Sequence, residues 1–193
     1  MKFSEKLFRT GLLLAIFIIS GCSSPAPSFH IRQDIDFSFI KKVAVLPLDN
    51  LTADRSADEA VRQVVIHELL VSGLVDVVVP GDVMSAINKS GIRAVTSLNA
   101  EQIKTIGKEL DVQAVIFGSV ERFEVVRTGN VSAPEVTITL MMADTDSGSI
   151  IWSVTKTAVG DSFISRHFGA RSDTMSETML KVVRECVRTL TEY

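Results

Sequence analysis

The pattern of apolar and polar positions changes character several times along the chain. Leu12 to Ile19 is an unbroken apolar run. It is too short to span about 30 Å of hydrocarbon, for which a helix needs roughly 20 residues. After a polar stretch, Val43-Ala-Val-Leu-Pro-Leu48 is short and continuously apolar, as expected of a strand buried on both faces. Pro47 has no N–H for a ladder and belongs at the strand's end or edge. Asp49 to Asp54 reads as a polar loop. The spacing then predicts a helix from about Ser56 to Ser72, stopped by Gly73. Its apolar residues include Val61, Val65, Leu69, Leu70 and Val71, and they spread around more than one face. Either the fold covers both sides or one side meets a partner. Leu74 to Val79 reads as the next strand, ended by Pro80-Gly81. Asp82 can cap a helix through Lys89 that ends at Gly91. Asn99 with Gln102 three residues on is a capping-box variant. The helix it opens runs to about Leu110 and accepts Gly107 at about 1 kcal/mol.

From Gln113 the period becomes two. Gln113 to Val126 reads as a long strand, and Ala133 to Ala143 alternates Val136, Ile138, Leu140 and Met142 against Thr137 and Thr139. Asp144 to Gly148 is a turn. Ile150 to Ala158 then alternates again, with Ile150, Trp152, Val154 and Ala158 on one face and Ser153, Thr155 and Thr157 on the other. Short turns between these strands predict an antiparallel meander. The last helix, about Asp173 to Glu192, gathers Met175, Met179, Val182, Val183, Cys186, Val187 and Leu190 within half of its wheel. The element order βαβααβββα predicts one layered α/β (α+β) domain, a mixed sheet flanked by helices.

Charge changes the reading of the first apolar run. Lys2, Lys6 and Arg9 precede it and Ser20-Gly21-Cys22 follows it, which makes residues 1–21 a secretory signal. Ile19-Ser20-Gly21-Cys22 resembles a bacterial lipobox, in which the Cys thiol is acylated (palmitate among the chains) and cleavage occurs just before it. The mature protein would then begin at a lipidated Cys22. Ser23 rather than Asp in the next position favours the outer membrane. Residues 22–40 are expected to be the lipidated Cys and a flexible tether. Ser23 to Phe39, fully extended, would reach at most roughly 60 Å. The folded domain is expected over 41–193.

The whole chain has 20 Lys+Arg and 23 Asp+Glu. Removing Lys2, Lys6, Arg9 and Glu5 with the signal leaves 17 basic against 22 acidic residues. A mildly acidic balance offers nucleic acid no basic footprint. With Cys22 acylated, Cys186 is left alone, and its place on the apolar face of the last helix predicts burial rather than reactivity.

Candidate chemistry is sparse. His30, His67 and His167 are far apart in sequence and there is no HExxH, so no metal site is expected. G-x-S-x-G, Walker A and G-x-G-x-x-G motifs are absent from the sequence, and no cofactor or small-molecule substrate is expected. Asp144 and Asp146 suit an Asx turn better than a Ca²⁺ loop. The segment Asp161 to Arg171 is less bland. It sets Phe163, Ile164 and Phe168 among Arg166, His167 and Arg171. Aromatics beside Arg are the residues contact sites use, so Phe163, Arg166, Phe168 and Arg171 are candidate partner contacts. The alternative is that the apolar groups anchor the loop beneath the sheet.

Three stretches carry a resemblance. They are Val43-Ala-Val-Leu-Pro-Leu-Asp-Asn-Leu-Thr52, Asp111-Val-Gln-Ala-Val-Ile-Phe-Gly-Ser-Val120 and Ala143-Asp-Thr-Asp-Ser-Gly-Ser-Ile-Ile-Trp-Ser153. In this order, behind a lipobox, they resemble the CsgG-like, TolB N-terminal-like and LpoB-like envelope lipoprotein domains, in particular the small-lipoprotein branch. The resemblance implies a mixed sheet flanked by helices and no enzymatic activity. It also implies a task in binding or assembly at the periplasmic face of the outer membrane. The partner would be an envelope protein or further copies of the chain. A structural subunit of a secretion or transport apparatus and an LpoB-type activator of a peptidoglycan synthase are the alternatives. CsgG forms its barrel from long inserted segments. Here the connection from Arg127 to Pro134 is short, so no self-made pore is expected.

Overall fold

A computed structural model describes residues 28–32, 37–92, 95–128, 131–160 and 173–190. The strands are β1 (Ser28–Ile31), β2 (Lys42–Val45), β3 (Asp49–Asn50), β4 (Asp76–Val77), β5 (Ala114–Thr128), β6 (Val131–Asp144) and β7 (Ile150–Val159). The helices are α1 (Ala57–Ser72), α2 (Pro80–Lys89), α3 (Ala100–Leu110) and α4 (Met175–Arg188). With β1 and β3 added, the predicted order βαβααβββα is the observed one. The sheet is mixed, in the order β1-β7-β6-β5-β2-β4, with β3 beside β5. β2 runs parallel to β4 and β5, whereas β5, β6 and β7 form the antiparallel meander.

The alternation within the strands divides the interior in two. Val43, Val45, Ile116, Ile138, Leu140 and Trp152 pack on one face against Val61, Val65 and Leu69 of α1 and Val182, Val183 and Cys186 of α4. Ala44, Leu46, Val115 and Phe117 pack on the other against Val83 and Ile87 of α2 and Ile103 and Ile106 of α3. After Lys42, β2 is apolar because helices cover both of its faces. β6 and β7 carry threonine on the second face. The Thr137 and Thr157 hydroxyls lie 2.9 Å apart, as do those of Thr139 and Thr155, so the hydroxyls bond across the strands.

Local chemistry sets the helix boundaries. Gly73 adopts φ 65° and stops α1. Asn99 and Gln102 form the full reciprocal cap of α3, with Gln102 N–H donating to Asn99 Oδ1 at 2.9 Å and Asn99 N–H donating to Gln102 Oε1 at 3.0 Å. Thr174 and Glu177 do the same for α4. Asp82 is not the cap of α2. Pro80 opens that helix after Val79, and Asp82 sits in the first turn. Asp144 holds its own turn from within, accepting from Ser147 N–H three residues on at 2.8 Å.

Three expectations are corrected. Leu74 to Val79 forms a strand only at Asp76–Val77, because β4 is an edge that pairs with β2 alone before Pro80 starts a helix. Ile150 does not join the core. The register shifts between Met142 and Ala143, so Ile151 is buried at 0% exposure and Ile150 stays 43% exposed. The stretch expected to be a free tether contains β1, whose four residues pair with Trp152 to Thr155 of β7. Phe37 within the same stretch packs against the core. Sheet pairing therefore starts at Ser28 rather than at residue 41.

Candidate functional site

β1 is antiparallel to β7, with Ser28 opposite Thr155 and Ile31 opposite Trp152. Its N-terminus therefore points to the end of the sheet where β7 finishes at Val159. β5 and β6 run on past that end. Their last residue shared with β7 is Glu135, opposite Val159, and the pairs from Val125–Pro134 to Thr128–Val131 continue beyond it. Among the described residues, no third strand pairs with this hairpin extension. Val125 is 63% exposed and Val159 39%. Gly160 N–H donates to Pro134 O at 2.7 Å, and Asp173 N–H donates to Gly160 O at 2.8 Å. The start of α4 is thereby held at the same end.

The residues selected from sequence lie outside the described residues, yet the chain connects all of them here. Cys22 precedes Ser28 by six positions. Phe163, Arg166, Phe168 and Arg171 belong to a segment that leaves at Gly160 and returns at Asp173, two residues joined by a hydrogen bond. One end of one sheet thus carries the connection toward Cys22, the projecting hairpin and both ends of the candidate contact segment.

The remaining polar groups are engaged in holding the layers together. Arg62 is 3% exposed. Its Nε and Nη2 donate to Val45 O at 3.1 and 3.0 Å, fastening α1 to the end of β2. Glu68, 5% exposed, accepts two bonds from Arg184 at 3.0 and 3.2 Å and joins α1 to α4. The hydrogen bond and charge of Glu68 push the Arg184 guanidinium further up. Trp152 Nε1–H donates to Thr189 Oγ1 at 2.9 Å inside the core. The Cys186 thiol is pushed up to about 12 by burial, which keeps it protonated. Arg62, Glu68 and Arg184 show no spacing motif, and only the mutual placement of the helices reveals them.

Open recesses are lined by charged side chains. One of about 410 Å³ is lined by Lys42, Asp82, Lys89 and Glu109. There Lys89 pairs with Glu109 at 2.8 Å, which raises the lysine, and Lys42 Nζ donates to Leu110 O at 3.1 Å. Another of about 490 Å³ lies between Lys104, Lys108, Asp111 and Asp146. Among the described residues, no group of three or more His, Cys, Asp or Glu could hold a metal ion, and no helix is long and apolar enough to cross a membrane.

The ambiguity of α1 is resolved residue by residue. Ala57, Val61, Val65 and Leu69 enter the core, whereas Leu70 (54%), Val71 (66%) and the following Leu74 (41%) stay exposed.

Comparison with known proteins places the fold. No protein-family model matches the sequence, and no curated protein matches it. Solved structures do. PelC from Paraburkholderia phytofirmans, solved as a dodecamer, is 17% identical; the match covers 84% of this chain and 96% of PelC at a TM-score of 0.57. The lipoprotein GNA1162 from Neisseria meningitidis is 14% identical, with 79% and 99% covered at a TM-score of 0.55. The C-terminal domain of LpoB from Escherichia coli matches more loosely, at 17% identity, 74% and 91% coverage and a TM-score of 0.45, and no argument rests on it. This chain shares its fold with PelC and with the lipoprotein GNA1162.

Proposed function

We infer that the chain is an envelope lipoprotein of the CsgG-like, TolB N-terminal-like and LpoB-like kind. In this reading residues 1–21 are its signal and Cys22 carries the lipid. The folded domain faces the periplasm from the outer membrane. It serves as a non-catalytic binding or assembly module, building an envelope complex with further copies of itself or with an envelope protein.

The observation that carries this reading is the near full-length likeness to PelC, which was solved as a dodecamer. The exposed apolar ridge of Leu70, Val71 and Leu74 gives a self-association surface something to bury. Phe163, Arg166, Phe168 and Arg171 are proposed as contacts to the partner.

Two measurements test it. Cys22→Ala should abolish palmitate incorporation and leave the precursor unprocessed or release the domain from membranes. Fractionation of that variant with the outer membrane would overturn the anchor. The lipidated protein in detergent should show one fixed stoichiometry above one by mass photometry. A strictly monomeric species at high concentration would overturn self-assembly.

A further inference from the structure

The hairpin extension and the position of β1 together set how the domain meets the membrane. Six residue steps separate Cys22 from Ser28, a reach of at most about 21 Å. Ser28 lies opposite Thr155, and Thr155 lies opposite Thr139 of β6. From Thr139 back to Val131, where the hairpin ends, β6 advances about 26 Å in the direction from which the anchor enters. With the strands upright, the hairpin end reaches at least as far toward the bilayer as the anchor itself can.

The chemistry of that end agrees. Beyond the Glu124–Glu135 pair the hairpin sequence holds no acidic residue, and Arg127 is its one basic residue. Val125 is 63% exposed with its backbone held in the ladder, and Val159 beside the hairpin base is 39% exposed. Apolar side chains beside a cationic one suit the boundary between headgroups and acyl chains.

We propose that the end of the β5–β6 hairpin, centred on Val125, docks on the surface of the lipid leaflet that holds acylated Cys22. This rests on the anchor reading above and adds an orientation to it. The lipid and the hairpin act as two attachments of one domain, so the sheet stands on the membrane at a defined angle instead of swinging on a tether.

The test uses the full-length lipidated protein in phosphatidylethanolamine/phosphatidylglycerol vesicles. Val125→Cys and, separately, Ser147→Cys at the opposite end are labelled with an environment-sensitive fluorophore. Both sites are exposed, so both variants should fold, and Cys186 is buried away from the label. Lipids spin-labelled near the headgroup should quench the probe at Val125 several-fold more than the probe at Ser147. Equal quenching at both sites, in protein that still floats with the vesicles, overturns the docking and leaves the anchor standing. A Val125 probe shielded from water but insensitive to the lipid quencher means that protein covers the hairpin, which also overturns it. Absence of acyl groups on Cys22 by mass spectrometry removes the anchor reading and the docking with it.

Discussion

Gly107 lies inside α3 with no turn to justify it, yet a Cβ built there would fall 2.3 Å from Thr145 Cβ. Thr145 is itself fixed, because its hydroxyl donates to Val112 O at 2.6 Å. Two effects compete in Gly107→Ala. Helix propensity favours alanine by about 1 kcal/mol, whereas overpacking a tight contact costs about 1 to 3 kcal/mol. The rigid neighbour decides for overpacking, so the substitution should lower the urea midpoint; a raised midpoint would contradict the contact. Cys186 offers a test by pH. Burial raises its thiol from 9.0 to about 12, so the folded chain keeps a proton that the unfolded chain releases. Its contribution to stability is full below pH 9.0 and is lost as pH rises through about 12. Between those values, wild type should lose stability more steeply than Cys186→Ala in urea titrations, and equal slopes would refute the shift. Burial of Cys186 was legible from the helical wheel. The role of Arg62 was not, because no local pattern tells that a charged side chain will find the one carbonyl at the end of β2.

At the level of elements, the most legible parts were those whose signals are local. Caps belong here. Asn99 and Gln102 stand out in sequence, and Thr174 and Glu177 carry the same spacing ahead of a stronger apolar stripe. Asn99→Ala and Thr174→Ala should each cost about 1 kcal/mol, measured by thermal or urea unfolding; loss of neither would mean the caps are solvent-compensated. The illegible elements depend on distant partners. Ser28–Ile31 becomes a strand because β7 offers it an edge, and a two-residue strand such as β3 exists only against β5. The misplacement of Ile150 has a related origin, since the extra residue Ile151 in β7, set against Met142 and Ala143 of β6, resets which residues point inward. The candidate site was half legible. Its residues were chosen from composition, but only the strand directions show that the chain leads them to one end of the sheet.

For the whole molecule, two features compete to direct assembly. Leu70, Val71 and Leu74 are exposed at the end of α1, and the hairpin extension projects from one end of the sheet. The proposals above give the first a protein partner and the second a lipid one, and the two are separable. Leu70→Glu combined with Val71→Glu alters side chains that are 54% and 66% exposed. The pair should reduce the stoichiometry in detergent while leaving the melting temperature and vesicle binding unchanged. A drop in melting temperature would show that these residues stabilise the fold instead.

The direction of β1 also decides how the protein bears a load. A pull through the N-terminal segment toward the membrane acts along the axis of β1, so its ladder bonds to β7 resist together in shear instead of opening one by one like a zipper. In a single-molecule pulling experiment through that segment, the four paired residues of β1 should therefore release in one step. Stepwise peeling would mean the strand is loaded across its axis. One-step release would make this four-residue edge strand a mechanical clamp for any load that reaches the domain through its N-terminal segment.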